Sequence, residues 1–252
     1  SLHDALPILA ADKASLPDKS VYAADFQTAG KGQRGNRWES NAAENLLFSI
    51  LLKPTDILAE DQFIISQAVT LGIQGYIRSK GIDARIKWPN DIYAGDRKIC
   101  GILIENAVNA HELTSSIVGI GFNLNQLVFS PDIPNPVSLS MLTDVRYDLK
   151  DELIDLLGHI FGEYDKRSAR TEERYIASLY RLGKKCSYID AVSGRTFEGT
   201  ITGVDKTARI LIDTDSGQRA FAFKELKYVK DFVVETADAE IEKAGIDLKR
   251  EM

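Results

Sequence analysis

Residues Leu46–Leu52 form a nearly unbroken apolar run of strand length, which Pro54 ends. Apolar residues at helical spacing follow over residues 57–77, and further strand-like runs come after them. Because strands alternate with helices and with hairpin-like neighbours, we predict a mixed α/β layer structure, of fold class α/β (α+β). The other predicted strands cover residues 21–24, 82–86, 99–104 and 116–120, and the other predicted helices cover 149–164 and 172–182.

The pattern of the sequence changes at Gly183. From residue 184 to residue 229, short β-prone runs are separated by turn-like breaks such as Ser193-Gly194 and Asp205-Lys206. A stretch of this kind predicts a small β-barrel. Residues 231–252 contain seven acidic and three basic residues and few large apolar side chains. We therefore predict three parts: a main domain over residues 1–182, a barrel over 183–230 and an acidic tail over 231–252.

Charge and composition exclude several classes of protein. The chain has 31 Lys and Arg against 37 Asp and Glu, a net charge of −6, which disfavours broad binding to nucleic acid or an anionic membrane. No apolar run approaches the roughly 20 residues that span a bilayer. Two cysteines cannot form a disulfide framework or a four-thiolate zinc site, so we expect a cytoplasmic protein. The three histidines lack metal-ligand spacing, and we predict no protein-bound catalytic metal.

A glycine-rich basic loop occupies residues 30–35, with the sequence Gly-Lys-Gly-Gln-Arg-Gly. Its spacing matches a dinucleotide-binding fingerprint, but a strand-like run follows it where that motif needs a helix. Glycines let backbone N–H groups approach an anion closely, and Lys31, Arg34 and Arg37 add positive charge. The loop therefore suits a bound phosphate, although a solvated hairpin explains it equally well.

Two more segments suit a ligand site. In Lys87-Trp88-Pro89-Asn90-Asp91, the last two residues lie at a turn just past a strand, and Lys87 and Lys98 lie at neighbouring strand ends, where both could face one anion. A tight turn is the simpler explanation of that segment. Residues 119–125 place two glycines and two asparagines after a strand, which suits either a polar ligand wall or a β-bulge.

Together and in this order, these segments resemble the biotin protein ligases, in the form without an N-terminal DNA-binding domain. The resemblance is strong over about residues 21–125 and concerns only general organisation elsewhere. It implies a mixed sheet backed by helices, related to class II aminoacyl-tRNA synthetases, and a C-terminal SH3-like barrel. The matching motifs are Gln27-Thr28-Ala29-Gly30-Lys31-Gly32 with Trp38, the segment from Lys87 to Asp91, Lys98 with residues 101–105, and Gly119-Ile120-Gly121-Phe122-Asn123-Leu124-Asn125.

The resemblance also implies a reaction in two steps. The carboxylate of biotin attacks the α-phosphate of ATP, which is accompanied by Mg²⁺, and gives biotinyl-5′-AMP. A lysine of a biotin carboxyl carrier protein, an acetyl-CoA carboxylase subunit, then accepts the biotinyl group. Weak or ligand-promoted homodimers are expected by the same resemblance. Two alternatives stay open: a lipoate-type ligase on the same fold, and a non-catalytic protein that binds biotin or a nucleotide.

The resemblance assigns roles to individual residues. Lys98 and Lys31 are the expected catalytic residues, and Lys98 touches the biotin carboxylate and the mixed-anhydride oxygen. The expected biotin-binding residues are Gln27, Gly30, Lys31, Gly32, Gln33, Lys98 and Gly101, and the expected nucleotide-binding residues are Arg34, Trp38, Lys87, Asn90, Asp91 and Asn123. No residue is expected to ligate a metal.

The sequence departs from the family pattern at three places. Lys31 replaces an arginine and keeps the charge, but it cannot form the bidentate hydrogen bonds of a guanidinium group. Gln33 replaces a second arginine. Asp4-Ala5-Leu6 stands where the family has Ser-Thr-Asn, so we expect weaker retention of biotin. Because 26 residues precede Gln27, we do not expect a DNA-binding repressor.

Overall fold

The computed structural model describes residues 15–27 and 38–229. Several predictions therefore fall outside the described residues. They concern Gly30, Lys31, Gly32, Gln33 and Arg34 of the glycine-rich loop, the Asp4-Ala5-Leu6 departure and the acidic tail.

The larger sheet has six strands in the order β1-β2-β6-β5-β4-β3. The apolar run Leu46–Leu52 is strand β2, which lies between β1 and β6, and each of its residues is buried. All pairings between these strands are antiparallel, whereas the parallel bridges among the described residues are isolated, as between Ile86 and Leu179. The strands are β1 Ser20–Ala24, β2 Leu46–Leu52, β3 Ala84–Lys87, β4 Asp91–Ala94, β5 Arg97–Asn109 and β6 Glu112–Phe122.

The α-helices within the described residues confirm the predicted α+β class. They are α1 Phe63–Ser79, α2 Leu139–Thr143, α3 Leu149–Asp165 and α4 Ala169–Ala177. Helix α1 contacts strands β3 and β4, and α3 and α4 pack against α1. The helix predicted from residue 57 begins later, because Leu58 bridges Glu112 at the start of β6. Helix α4 also ends before residue 182, because the Tyr180 N–H donates to the Ile86 carbonyl of β3 at 2.8 Å.

A glycine allows α1 and α3 to cross closely. A Cβ atom added at Gly72 of α1 would lie 2.6 Å from the Cα atom of Ile160 of α3. Gly72→Ala is therefore expected to lower the free energy of unfolding by about 2 kcal/mol. Gly158→Ala on α3, where an added Cβ meets no atom within 4 Å, is expected to raise it by up to about 1 kcal/mol. Urea denaturation of both variants checks this, and equal effects would contradict the close crossing.

The second sheet occupies the region predicted as β-rich. Its strand order is β10-β9-β8-β7-β11, with antiparallel pairings throughout. Arg219 of β10 contacts Asp190 of β7 at 2.5 Å, although two strands separate them, so the sheet curls as an SH3-like domain does. The strands are β7 Lys185–Asp190, β8 Thr196–Val204, β9 Ile210–Thr214, β10 Gly217–Phe221 and β11 Leu226–Tyr228.

One buried apolar cluster joins the two sheets. It contains Phe48 and Phe122 of the larger sheet together with Ile201 and Ile212 of the smaller one. The domain boundary at residue 183 therefore remains a prediction from the sequence pattern. No helix within the described ranges is long and apolar enough to cross a membrane.

Candidate functional site

A cavity of about 600 Å³ opens where the two sheets meet. Four lysines and one carboxylate, Asp91, line its described part, so positive charge is concentrated there in a chain of net charge −6. Such a cavity suits an anionic ligand. The lysines are Lys87, Lys98, Lys224 and Lys227. The predicted site residues that the cavity brings together are Gln27, Trp38, Lys87, Asn90, Asp91, Lys98 and Gly101.

A β-bulge turns Lys98 into this cavity. In a regular strand, Lys98 and Gly101 would face opposite sides of the sheet, because side chains alternate. Ile92 of β4 pairs with Cys100, but Tyr93 pairs with Lys98, so β5 carries one extra residue at this point. Both residues consequently face the cavity, and a Cβ added at Gly101 would lie 3.2 Å from the Lys98 Nζ atom.

Lys98 is held by its side chain and by its backbone. Its Nζ atom lies 2.7 Å from Asp91 Oδ1, and about 30% of each side chain is exposed. The Lys98 N–H donates to the Asn135 carbonyl at 2.7 Å, and the Val137 N–H donates to the Lys98 carbonyl at 3.0 Å. The ammonium group is therefore a fixed charge that remains accessible to a ligand.

Two glycines form a flat floor beside Lys98. Gly101 of β5 and Gly121 of β6 are directly opposite each other, and the Trp38 ring lies over both. A Cβ added at Gly121 would lie 2.4 Å from Trp38 Cε2, and one added at Gly101 would lie 2.7 Å from Trp38 Cζ3. Trp38 Nε1 is buried and has no hydrogen-bond partner within the described residues. The Trp38 ring can therefore lie here only because positions 101 and 121 carry no side chain.

Lys87 is enclosed by two tyrosine rings. Its Nζ atom donates to Tyr93 Oη at 2.9 Å and lies 4.7 Å from the centre of that ring and 4.9 Å from the centre of the Tyr228 ring. Burial lowers the pKa of Lys87, the nearby charges of Lys98 and Arg181 lower it further, and Asp91 opposes them. Lys87 is therefore a partly desolvated cation at the cavity wall.

The two predicted asparagines hold the backbone around the site. Asn90 lines the cavity, and its Nδ2 atom donates to the Ile102 carbonyl at 3.1 Å. Asn123 is not among the residues that line the described cavity, and its Nδ2 atom donates to the Val137 carbonyl at 3.1 Å. Asn123 therefore supports the segment that holds Lys98, and its contact with a nucleotide stays a prediction.

Sequence reasoning missed Ser49 and a second group of cavity residues. Ser49, Gly119 and Leu103 form one cross-strand row of the larger sheet. A signal for this row existed, because Ser49 is the single polar residue of the apolar run in β2. No local signal pointed to the second group, which reaches the cavity only through the docking of the smaller sheet. That group is Phe223, Lys224, Leu226, Lys227 and Tyr228.

The described residues contain no cluster of three His, Cys, Asp or Glu side chains that could hold a metal ion. The one carboxylate of the described cavity wall, Asp91, is already paired with Lys98. A positively charged cavity with an accessible lysine and a flat glycine floor can bind a phosphate-bearing ligand and stabilise negative charge that develops on it.

Known proteins are similar to this chain in sequence and in fold. Residues 9–123 match the Biotin/lipoate A/B protein ligase family. The bifunctional ligase/repressor BirA of Bacillus spizizenii is 30% identical over 215 residues, which are 81% of this chain and 64% of that protein. The biotin–[acetyl-CoA-carboxylase] ligase of Paracoccus denitrificans is 26% identical over 211 residues, which are 79% of this chain and 86% of that protein.

The fold is also that of a solved structure. Biotin protein ligase from Aquifex aeolicus, in complex with biotin and ATP, matches with a TM-score of 0.74 at 24% identity over 90% of this chain and 95% of that one. This likeness establishes the fold. The chain spans less than two thirds of the length of the Bacillus relative.

Proposed function

We propose that the chain is an ATP-dependent biotin–[biotin carboxyl carrier protein] ligase, because residues 9–123 match the Biotin/lipoate A/B protein ligase family. It activates biotin as biotinyl-5′-AMP and transfers the biotinyl group to a lysine of the carrier, an acetyl-CoA carboxylase subunit. The observation that carries the proposal is the accessible Lys98 ammonium, fixed by Asp91 beside the glycine floor. The similar proteins from Paracoccus denitrificans and Aquifex aeolicus, both named as biotin ligases, support the proposal.

In the first step, a carboxylate oxygen of biotin bonds to the α-phosphorus of ATP, and the bond from that phosphorus to the β-phosphate oxygen breaks. Pyrophosphate leaves with the bonding electrons. Negative charge builds on the α-phosphate oxygens, and a fixed ammonium stabilises it without reorganising first. Lys98 supplies this charge, and Asp91 keeps its Nζ atom in place at 2.7 Å.

In the second step, the carrier's lysine amine bonds to the acyl carbon of biotinyl-5′-AMP. The bond between that carbon and the phosphate oxygen breaks, AMP leaves, and the attacking nitrogen loses a proton. Lys98 again faces the oxygens on which charge develops. No nucleophile of the enzyme is required, which is consistent with the buried Cys100, whose thiol pKa is raised by burial.

The remaining site residues fit the same substrates. We assign Gln27, Gly101 and the glycine-rich loop to biotin and to the α-phosphate of the nucleotide, with Lys31 assisting Lys98. The residues assigned to the nucleotide side are Arg34, Trp38, Lys87, Asn90, Asn123 and Asp91, and Asp91 also anchors Lys98. Mg²⁺ would accompany ATP, and phosphate oxygens and water would hold most of its coordination positions, since that ion keeps several waters when phosphates bind it.

Biotin-dependent exchange between ATP and pyrophosphate tests this function. Exchange that requires biotin and fails with lipoate would support the proposed ligase. Exchange with lipoate in place of biotin would favour the lipoate-type ligase. Biotin or nucleotide binding without exchange would favour the non-catalytic binding protein.

The acceptor, the assembly and the compartment complete the proposal. A biotin carboxyl carrier domain should gain a covalent biotin in the presence of enzyme, biotin and ATP. Strand β1 is an outer strand of the larger sheet, whereas β3 pairs with residues 178–180 on its outer side, so we expect a weak or ligand-promoted homodimer to extend the sheet at β1. Sedimentation that shows only monomer, with and without biotin and ATP, would contradict self-association. Two free thiols, Cys100 and Cys186, suit the cytoplasm.

A further inference from the structure

The larger and the smaller sheet meet at two consecutive residues, Lys87 and Trp88. Trp88 Nε1 donates to the Ala208 carbonyl of the smaller sheet region at 3.0 Å, and the Trp88 and Phe223 rings meet edge to face at 6.1 Å. Lys87 faces the cavity instead, where its ammonium lies against the Tyr228 ring. The smaller sheet thus contributes a wall that touches a cation of the proposed nucleotide site.

The contact with Tyr228 involves the face of the ring. The Lys87 Nζ atom lies 4.9 Å from the ring centre, inside the range of cation–π attraction. Tyr228 Oη is buried and has no hydrogen-bond partner within the described residues. The aromatic surface, rather than the hydroxyl group, is therefore what Tyr228 offers to Lys87.

The opposite side of Lys87 is also fixed. Tyr93 accepts a hydrogen bond from Nζ and places its own ring 4.7 Å away. With Tyr93 on one strand of the larger sheet and Tyr228 on the edge strand of the smaller one, the ammonium has little freedom to swing or to collect water. A cation held in this way acts more strongly on a phosphate than a solvated one does.

We propose that Tyr228 is a positioning residue for adenylation: its ring holds the Lys87 ammonium toward the bound nucleotide, so that the smaller sheet takes part in the first half-reaction. This inference rests on the proposed function. It assigns to the smaller sheet a task in the chemistry, because a residue of β11 sets the position of a cation on β3.

Tyr228→Leu tests the inference, with Tyr228→Phe as the conservative variant. Leucine removes the ring, so we expect the KM for ATP in pyrophosphate exchange to rise roughly tenfold, while the KM for biotin changes little. Phenylalanine keeps the ring and should restore the KM for ATP to within about twofold. Trifluorophenylalanine at the same position keeps the shape but weakens the negative ring face, and should resemble leucine, which covers the case in which Tyr228→Leu does not fold.

A double-mutant cycle separates this role from general loosening of the smaller sheet. In a Lys87→Met background, Tyr228→Leu should have no further effect on the KM for ATP, because the interacting partner is gone. Phe197→Leu is the matched control, since Phe197 packs on Phe221 inside the smaller sheet and does not line the described cavity. An equal rise in KM in Phe197→Leu, or additive effects in the cycle, would overturn the inference. Absence of biotin-dependent exchange in the wild-type protein would instead overturn the proposed function.

Discussion

Lys98→Met is expected to lower the rate of biotin-dependent pyrophosphate exchange by about 10³-fold. Methionine is similar in length to lysine but carries no charge, so the variant removes the cation that we propose to stabilise charge on the α-phosphate. The loss should appear mainly in kcat, because that charge develops in the transition state. Steady-state exchange kinetics with saturating biotin and ATP measure it.

Two further variants show whether this loss comes from the charge at that place. Lys185→Met removes a lysine of β7 that pairs with Glu198 at 3.1 Å and does not line the described cavity, so exchange should be unchanged. Asp91→Asn keeps Lys98 charged but weakens its anchor, and a smaller loss of about tenfold is expected. Exchange at the wild-type rate in Lys98→Met would contradict the role given to this residue.

Gly121→Ala is expected to lower the same rate by about 100-fold. The added methyl group would lie 2.4 Å from Trp38 Cε2, so the Trp38 ring must leave the glycine floor. A displacement of about 1 Å at a site is enough to cost a factor of this size. The shift of Trp38 should also change tryptophan fluorescence, since the chain has two tryptophans.

Gly203→Ala provides the matched control for a glycine in a strand. Gly203 lies in β8, and an added Cβ would meet its nearest neighbour, Ile176 Cδ1, at an ordinary 3.9 Å. Exchange and fluorescence should both stay at wild-type values in this variant. If Gly121→Ala also left the rate unchanged, the glycine floor would have no part in the reaction.

Local patterns in the sequence predicted the elements that depend on local chemistry. The apolar run of β2 and the helical spacing from Leu149 agree with the structure, as does the β-rich region after Gly183. Strand β4 and the short helix α2 were not predicted, because a segment of four or five residues is too short to show a clear hydrophobic period. The end of α4 was predicted too late, since it depends on pairing between Tyr180 and β3.

The same distinction between local patterns and long-range pairing applies to the residues of the site. Motif residues such as Lys87, Asp91 and Lys98 were expected to converge, and the cavity brings them together. The spacing between Lys98 and Gly101 could not explain why both face one side, because the bulge arises from pairing with another strand. The sequence could not predict that Tyr228 lines the cavity, because its position depends on how the smaller sheet docks on the larger one.

The bulge in β5 also bears on which changes in chain length this protein tolerates. Ile99 and Cys100 are consecutive and both fully buried, so removing either residue would leave the rest of β5 in place only by turning Lys98 toward the core. The number of residues from 98 to 101 is therefore as necessary as the lysine itself for placing an ammonium group in the cavity.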